Sequence, residues 1–245
     1  METVSFSLLE LFRLGGVFMW PLLAFSVATV AISMERAIYI FYHDLRVDDL
    51  EEKVSGYIKK HDYQNAVGFL DGLTKQRMGA RILLALLKGS NPGSSFSEHR
   101  AERAAETEAM NTINSLENGF NFLTALGSLS PLTGFLGTVS GMIGAFRSIA
   151  EATEVNAQIV ANGIYEALIT TVFGLIIAII AMIFHSIFSH IVDRFAARVE
   201  GTCSNIIAQL VQAKDSVQTE DKPAKQTEAK KSARTRAGKT AKNEN

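Results

Sequence analysis

Residues 161–189 read ANGIYEALITTVFGLIIAIIAMIFHSIFS, and this stretch decides the fold. From Ala167 to Phe184 its residues are apolar apart from two threonines. A helix needs roughly 20 such residues to cross the hydrocarbon core of a bilayer, so the stretch predicts a membrane-spanning helix. Glu166 lies near its beginning. Because a carboxylate at membrane depth is costly, Glu166 is a candidate functional residue.

The same stretch has two different faces when it is drawn as a helix at about 100° per residue. The small and polar side chains share one arc with Glu166, and bulky aliphatic side chains occupy most of the remainder. The small arc contains Gly163, Ala167, Thr170, Thr171, Gly174, Ala178 and Ala181. We therefore expect the bulky face to contact lipid and the small face to contact another helix or a water-lined path.

Residues 125–150 predict a second span that is divided in the same way. Glycine, serine and threonine fill one half of its helical wheel, including Gly134, Gly137, Thr138 and Gly141, and bulky residues fill the other half. Gly137-x-x-x-Gly141 matches a small-xxx-small helix-packing motif. No Gly-Lys-Ser/Thr follows these glycines, which excludes a phosphate-binding loop.

Residues 15–40 predict the first span, preceded by an amphipathic lead-in at 1–14. Trp20 suits an anchor at the membrane interface. Glu35 and Arg36 lie near the far end, where an adjacent charged pair at the membrane rim is favoured over a role in transport.

The remaining segments are polar. Residues 41–124 have helical periodicity and predict a helical bundle outside the membrane, and Ser95-x-x-Glu98 resembles a capping box for a long helix that continues into the second span. Residues 151–160 predict a short loop and 190–212 a helical extension of the third span. Residues 213–245 are rich in Lys, Ala and Thr and predict a disordered basic tail, with contact to anionic lipid as the alternative.

The distribution of Lys and Arg predicts the topology. Ten lie within 41–124 and more follow the third span, whereas 151–160 has none and 1–14 has only Arg13. The positive-inside rule then places the N-terminus and the 151–160 loop in the periplasm, and the bundle and C-terminus in the cytoplasm. The predicted fold is an all-α membrane protein with three transmembrane helices, long cytoplasmic extensions and a cytoplasmic helical bundle.

Composition excludes several functions. The net charge of -1 gives no case for nucleic-acid binding, and the single cysteine excludes an internal disulfide. The scattered histidines argue against a metal site, and we expect no cofactor. The sequence contains no recognisable set of nucleophile, base and orienting residue, so we expect no enzyme. A substrate transporter is disfavoured because three spans without an internal repeat make a poor substrate cavity.

Two motifs resemble those of the MotA/TolQ/ExbB proton-channel family. Residues 130–141, SPLTGFLGTVSG, resemble its AP-x-x-GL-x-GTV-x-G motif, and residues 163–174, GIYEALITTVFG, resemble its GI-x-EAL-x-x-T-x-x-G motif. The resemblance covers roughly residues 10–210. Three positions depart from the pattern: Ser130 replaces an alanine, Ile180 a proline and Ser186 an asparagine.

The resemblance implies a multi-pass subunit of a proton-driven motor in the bacterial inner membrane. It implies a homopentamer around an ExbD-like single-span protein with a membrane aspartate, and a TonB-like protein that this motor energises for outer-membrane transport. Thr138 and Thr171 match the family's pore-lining threonines, and Glu166 matches its glutamate in the third span. Gly134, Gly137, Gly141, Gly163 and Gly174 belong to the predicted packing face.

Several alternatives stay open from the sequence. Thr138 and Thr171 fit helix-packing hydroxyls as well as a proton pathway, and Glu166 fits a structural contact between subunits. The whole chain also fits a TolQ-like subunit of the Tol-Pal envelope-integrity system or a non-conducting membrane scaffold. Hydroxyls and carboxylates suit either H⁺ or Na⁺.

Overall fold

The computed structural model describes residues 12, 14–91, 96–151 and 157–240, with the side chains of 157, 159 and 217–240 excepted. Every regular element in these ranges is an α-helix: α1 Met19–Tyr42, α2 Asp48–Lys59, α3 Tyr63–Leu73, α4 Met78–Ser90, α5 Glu98–Glu117, α6 Phe120–Glu151 and α7 Ala157–Thr240. Three stretches are long and apolar enough to cross a membrane: Met19–Tyr42, Glu98–Glu151 and Val160–Ser216. The predicted all-α fold with three membrane helices is confirmed.

The junction between α5 and α6 differs from the uninterrupted helix that we expected. Helix α5 ends at Glu117 and α6 begins at Phe120, with a turn between them. Gly119 in this turn has φ +92°, a left-handed conformation that glycine adopts without steric cost and that commonly ends helices. The second apolar stretch therefore begins at a glycine joint rather than in the middle of a helix.

The start of α5 is only partly described. Ser95, the expected capping residue, lies outside the described residues. The N–H of Ala101 donates to the carbonyl oxygen of Ser97 at 3.1 Å, as the first bond of the helix. Helix α4 ends in Ser90, and the following Asn91 has φ +46° in the left-handed conformation typical of a helix end.

Helix α7 continues well beyond the predicted span and extension. We expect a disordered tail from residue 213; helix α7 is described as far as Thr240, while the side chains of 217–240 and all of 241–245 lie outside the described part of the chain. Lys and Ala are the commonest residues of this segment, and both have high helix propensity.

The chain divides into two compact units. The first unit comprises residues 1–42 and 114–194 and contains the three predicted spans. Buried Met19, Leu22, Ile169 and Ile177 form a hydrophobic cluster in it, and Phe12, Phe25 and Phe173 pack against this cluster. Its bulky residues are otherwise largely exposed, as expected of a lipid-facing surface, among them Leu132, Phe135, Ile143, Leu168, Val172, Ile179 and Ile183.

The second unit comprises residues 43–113 and 195–245. Its helices enclose an aliphatic core that includes Leu50, Ile58, Leu70, Ile82, Leu83, Leu86, Leu87, Ile206 and Leu210. Glu51 joins α2 to α7 within this unit. It accepts hydrogen bonds from Thr202 Oγ1 at 2.7 Å and Asn205 Nδ2 at 2.9 Å.

Candidate functional site

Glycines bring α6 and α7 into backbone contact within the first unit. A Cβ atom placed on Gly134 would lie 2.8 Å from the carbonyl oxygen of Thr170. A Cβ on Gly174 would lie 2.5 Å from the carbonyl oxygen of Ser130 and 3.3 Å from the Cα of Gly134. Backbone atoms cannot move aside as a side chain can, so these positions have room for hydrogen only.

The same close approach continues towards the other end of the two helices. A Cβ on Gly141 would lie 3.1 Å from the carbonyl oxygen of Gly163, and a Cβ on Gly163 would lie 3.2 Å from that of Gly141. A Cβ on Gly137 would lie 2.7 Å from the Cβ of Thr170. All five glycines of the predicted packing face thus lie in one contact, which we call the α6–α7 seam (Gly134, Gly137, Gly141, Gly163, Thr170, Thr171 and Gly174).

Two threonine hydroxyls of α7 point at the same backbone carbonyl across the seam. Thr171 Oγ1 donates to the carbonyl oxygen of Gly134 at 3.4 Å, and its side chain is half-buried. Thr170 Oγ1 lies 3.2 Å from that oxygen and 2.8 Å from the carbonyl oxygen of Ala167, and its residue is 1% exposed. Thr170 was not among the predicted site residues, although the helical wheel placed it on the same arc as Glu166.

Thr138 is satisfied within its own helix. Its Oγ1 donates to the carbonyl oxygen of Phe135 at 2.7 Å, and the residue is half-buried. Across the described parts of the chain, no hydrogen bond joins Thr138 to Thr171. Each hydroxyl still carries acceptor lone pairs after donating its proton. The two threonines therefore retain the capacity to accept a hydrogen bond while staying neutral.

Glu166 has different neighbours from the threonines. It is half-buried on α7, and its carboxylate lies directly against Gly16, in the turn that precedes α1. A Cβ on Gly16 would lie 2.9 Å from Glu166 Cδ and would overlap Oε1. This neighbour could not be predicted from the sequence, because Gly16 and Glu166 are far apart in the chain and share no motif.

The charged pair in the first span is held by structural contacts. Arg36 donates through Nε and Nη2 to the two carboxylate oxygens of Glu35, at 2.6 Å each. Its Nη1 also donates to the carbonyl oxygen of Ser115 at 3.4 Å, and the hydroxyls of Tyr39 and Ser115 are 3.0 Å apart. Arg36 thus fixes α1 to the last turn of α5, where helix carbonyls lack partners. These contacts favour the structural interpretation of Glu35 and Arg36.

Other candidate groups have simple surroundings. The ring of His185 makes an edge contact with Phe120, with centroids 6.0 Å apart. Cys203, beyond the predicted span, is buried, and this burial raises the pKa of its thiol to about 12. Among the described residues, no group of three or more His, Cys, Asp or Glu side chains could hold a metal ion.

Comparisons with known proteins agree with this architecture. The model of the MotA/TolQ/ExbB proton channel family matches residues 74–201. The "Putative biopolymer transport protein ExbB-like 3" of Synechocystis sp. is 31% identical over 85% of this chain and 96% of its own length. The "Biopolymer transport protein ExbB" of Salmonella typhimurium is 26% identical over 78% of both chains. The "Tol-Pal system protein TolQ" of Haemophilus influenzae is 33% identical over 66% of this chain and 73% of its own length.

The family match covers more than half of the chain and includes the α6–α7 seam, and one relative above 30% identity is covered almost end to end. The three apolar helices are those of a membrane protein. The family is one of transport channels rather than of enzymes. The chain is therefore a membrane protein of the MotA/TolQ/ExbB proton channel family.

Proposed function

We propose that the chain is a proton-conducting motor subunit of the bacterial inner membrane. With an ExbD-like single-span partner that carries a membrane aspartate, it uses the proton motive force to drive a TonB-like protein and so energises transport across the outer membrane. Its N-terminus lies in the periplasm and its C-terminus in the cytoplasm, and five copies surround the partner helices. The observation that carries this proposal is the α6–α7 seam, in which threonine hydroxyls lie among glycines on two apolar helices.

The chemistry of the seam suits a partner carboxyl that gains and loses a proton. A hydroxyl both donates and accepts a hydrogen bond and stays neutral, so it stabilises either state of a neighbouring carboxyl without the cost of burying a second charge. Glycines bring the two helices close together, and half-buried Thr138 and Thr171 remain partly open to a partner. Glu166 supplies the one carboxylate of the predicted spans apart from Glu35, and we assign it to ion entry or exit.

The Thr171→Val variant tests conduction directly. Valine keeps the shape of threonine and removes the hydroxyl, so we expect complexes to assemble while energised transport falls by about tenfold or more. Thr138→Val should have the same effect. The matched control is Thr124→Val. Thr124 lies on α6, as Thr138 does, but it is exposed, and its hydroxyl donates to the carbonyl oxygen of Phe120 in its own helix. Assembled complexes with unchanged transport in both Thr171→Val and Thr138→Val would leave a non-conducting scaffold as the function.

A second candidate function is that of a TolQ-like subunit in the Tol-Pal envelope-integrity system. The observation in its favour is that a relative named as a TolQ protein is 33% identical, as high as the relatives named for ExbB. Expression in a host lacking its TonB-system energiser, and separately in one lacking its Tol-Pal energiser, separates the two. We expect rescue of TonB-dependent uptake; rescue of detergent resistance alone would assign the chain to the Tol-Pal system.

A further inference from the structure

The turn that precedes α1 is built on two glycines, and the second has an unusual backbone conformation. Gly16 has φ +65°, in the left-handed region. Its carbonyl oxygen accepts a hydrogen bond from the N–H of Met19 at 3.3 Å, which closes the turn before the helix. Met19 and the neighbouring Leu22 are buried in the hydrophobic cluster of the first unit. The turn is therefore held in place by the packing of the helix that follows it.

The two glycines of this turn contact different kinds of atoms. A Cβ on Gly15 would meet the flexible side chain of Met19 and lie 3.3 Å from Ile169 Cγ2. For a Cβ on Gly16, the three nearest atoms all belong to Glu166: it would overlap Oε1 and lie 2.9 Å from Cδ and 3.6 Å from Cγ. The atoms facing Gly16 are thus the charged end of Glu166 and its last methylene group. These are the three atoms nearest to that position among the described residues.

We infer that Gly16 is a positioning residue for Glu166, and this inference rests on the proposed function in which Glu166 serves ion entry or exit. The bare backbone at Gly16 leaves the only room in which the carboxylate can take its present place. The N-terminal end of α1 carries the positive end of the helix dipole, which favours a carboxylate beside it. The turn before the first span therefore sets where the carboxylate of the third span is held.

Labelling of Glu166 by dicyclohexylcarbodiimide, followed by mass spectrometry of the full chain in native membranes, measures this position without any need for transport. A side chain at residue 16 displaces the carboxylate, so we expect Gly16→Asn to change the labelling rate of Glu166 severalfold and to lower energised transport. Asparagine is the first choice because it adopts positive φ more readily than other residues with a Cβ, which separates the contact from backbone strain. Gly16→Ala should act in the same direction.

Rescue by a shorter acid gives the decisive comparison. Aspartate at residue 166 withdraws the carboxylate by one methylene group. The double variant Gly16→Asn, Glu166→Asp should therefore transport better than the sum of the losses in the two single variants predicts. Gly119→Ala is the strain control, because Gly119 also has positive φ but faces Arg36 at 3.4 Å. It should leave the labelling of Glu166 unchanged.

Two results would overturn the inference. One is an unchanged labelling rate of Glu166 in Gly16→Asn, which would mean that only the backbone conformation matters at residue 16. The other is an equal change in Gly119→Ala, which would mean that any strained helix start acts alike. A different result would show that the proposed function fails while the inference holds: Glu166→Gln would support normal transport, but Gly16→Asn would still change the labelling of Glu166.

Discussion

The two units of the molecule pack their helices by opposite means. In the α6–α7 seam, side chains are removed: Gly134 and Gly174 bring backbone against backbone, while the bulky residues of both helices point outwards. In the second unit, large side chains are enclosed: Leu83, Leu86 and Leu87 on α4 are at most 1% exposed. Both are all-helical, so the difference reflects what surrounds them rather than the type of secondary structure.

The surrounding solvent explains the contrast. In water, burial of apolar surface at roughly 25 cal/mol per Å² favours a core of large aliphatic side chains. In a bilayer, lipid tails are as apolar as leucine, so burying a leucine side chain gains little free energy. Close packing and hydrogen bonds must therefore hold the helices together. The predicted spans follow the second rule and residues 43–113 follow the first. This contrast can be tested by substitutions chosen to have opposite effects in the two units.

The largest loss of stability is expected from Leu86→Ala in the second unit. Leu86 is 0% exposed, and removal of a buried leucine side chain costs about 2–5 kcal/mol through lost burial and the cavity left behind. Lys88→Ala on the same helix is the control, because that exposed side chain makes only a surface ion pair with Asp71 at 3.6 Å. Hydrogen exchange of α4 in the full chain should accelerate strongly in Leu86→Ala alone. Equal exchange in both variants would contradict a leucine-dependent core.

Substitution by alanine should have different effects on stability at two glycines of α6. Gly134→Ala forces α6 away from the Thr170 carbonyl oxygen and should destabilise the first unit by about 1–3 kcal/mol. Gly144→Ala meets no atom within 4 Å, so it should be neutral or stabilise the helix by up to about 1 kcal/mol. Thermal unfolding of the two variants in mild detergent measures both. A loss of stability in Gly144→Ala equal to that in Gly134→Ala would mean that the seam is not specially close.

A smaller effect distinguishes two buried threonines of the first unit. Within the described structure, Thr29 Oγ1 on α1 is buried without a hydrogen-bond partner, whereas Thr170 Oγ1 has two carbonyl oxygens within reach. An unpaired buried hydroxyl is unfavourable, so Thr29→Val should be neutral or stabilising by about 1 kcal/mol. Thr170→Val should cost about 1 kcal/mol. Unfolding temperatures in detergent should therefore move in opposite directions, and a shared direction would contradict the hydrogen-bond assignment.

The parts of this structure that the sequence predicts are those that depend on local pattern. Hydrophobic length locates the three apolar helices, and the helical wheels place Gly134 on the small face of α6 and Gly163 and Gly174 on the small face of α7 because their spacing is periodic. The break at Gly119 was missed because a glycine within a helical pattern is compatible with continuation as well as with an end. The partner of Glu166 was missed for a different reason: Gly16 has no side chain, and no periodicity links it to α7. Contacts made by the absence of a side chain leave no sign in a hydropathy pattern.

The smallest expected effect concerns the one cysteine, which lies in the second unit among enclosed side chains. Burial disfavours the thiolate and raises the pKa of Cys203 from 9.0 to about 12. Since the thiol stays protonated in the folded chain, the stability that it contributes is complete below pH 9 and falls as the pH rises towards 12. At pH 8 we expect maleimide to modify Cys203 far more slowly than the exposed cysteine of a Ser204→Cys, Cys203→Ser double variant. Equal rates would mean that this part of α7 opens readily to water, and the enclosed core would then end before Cys203.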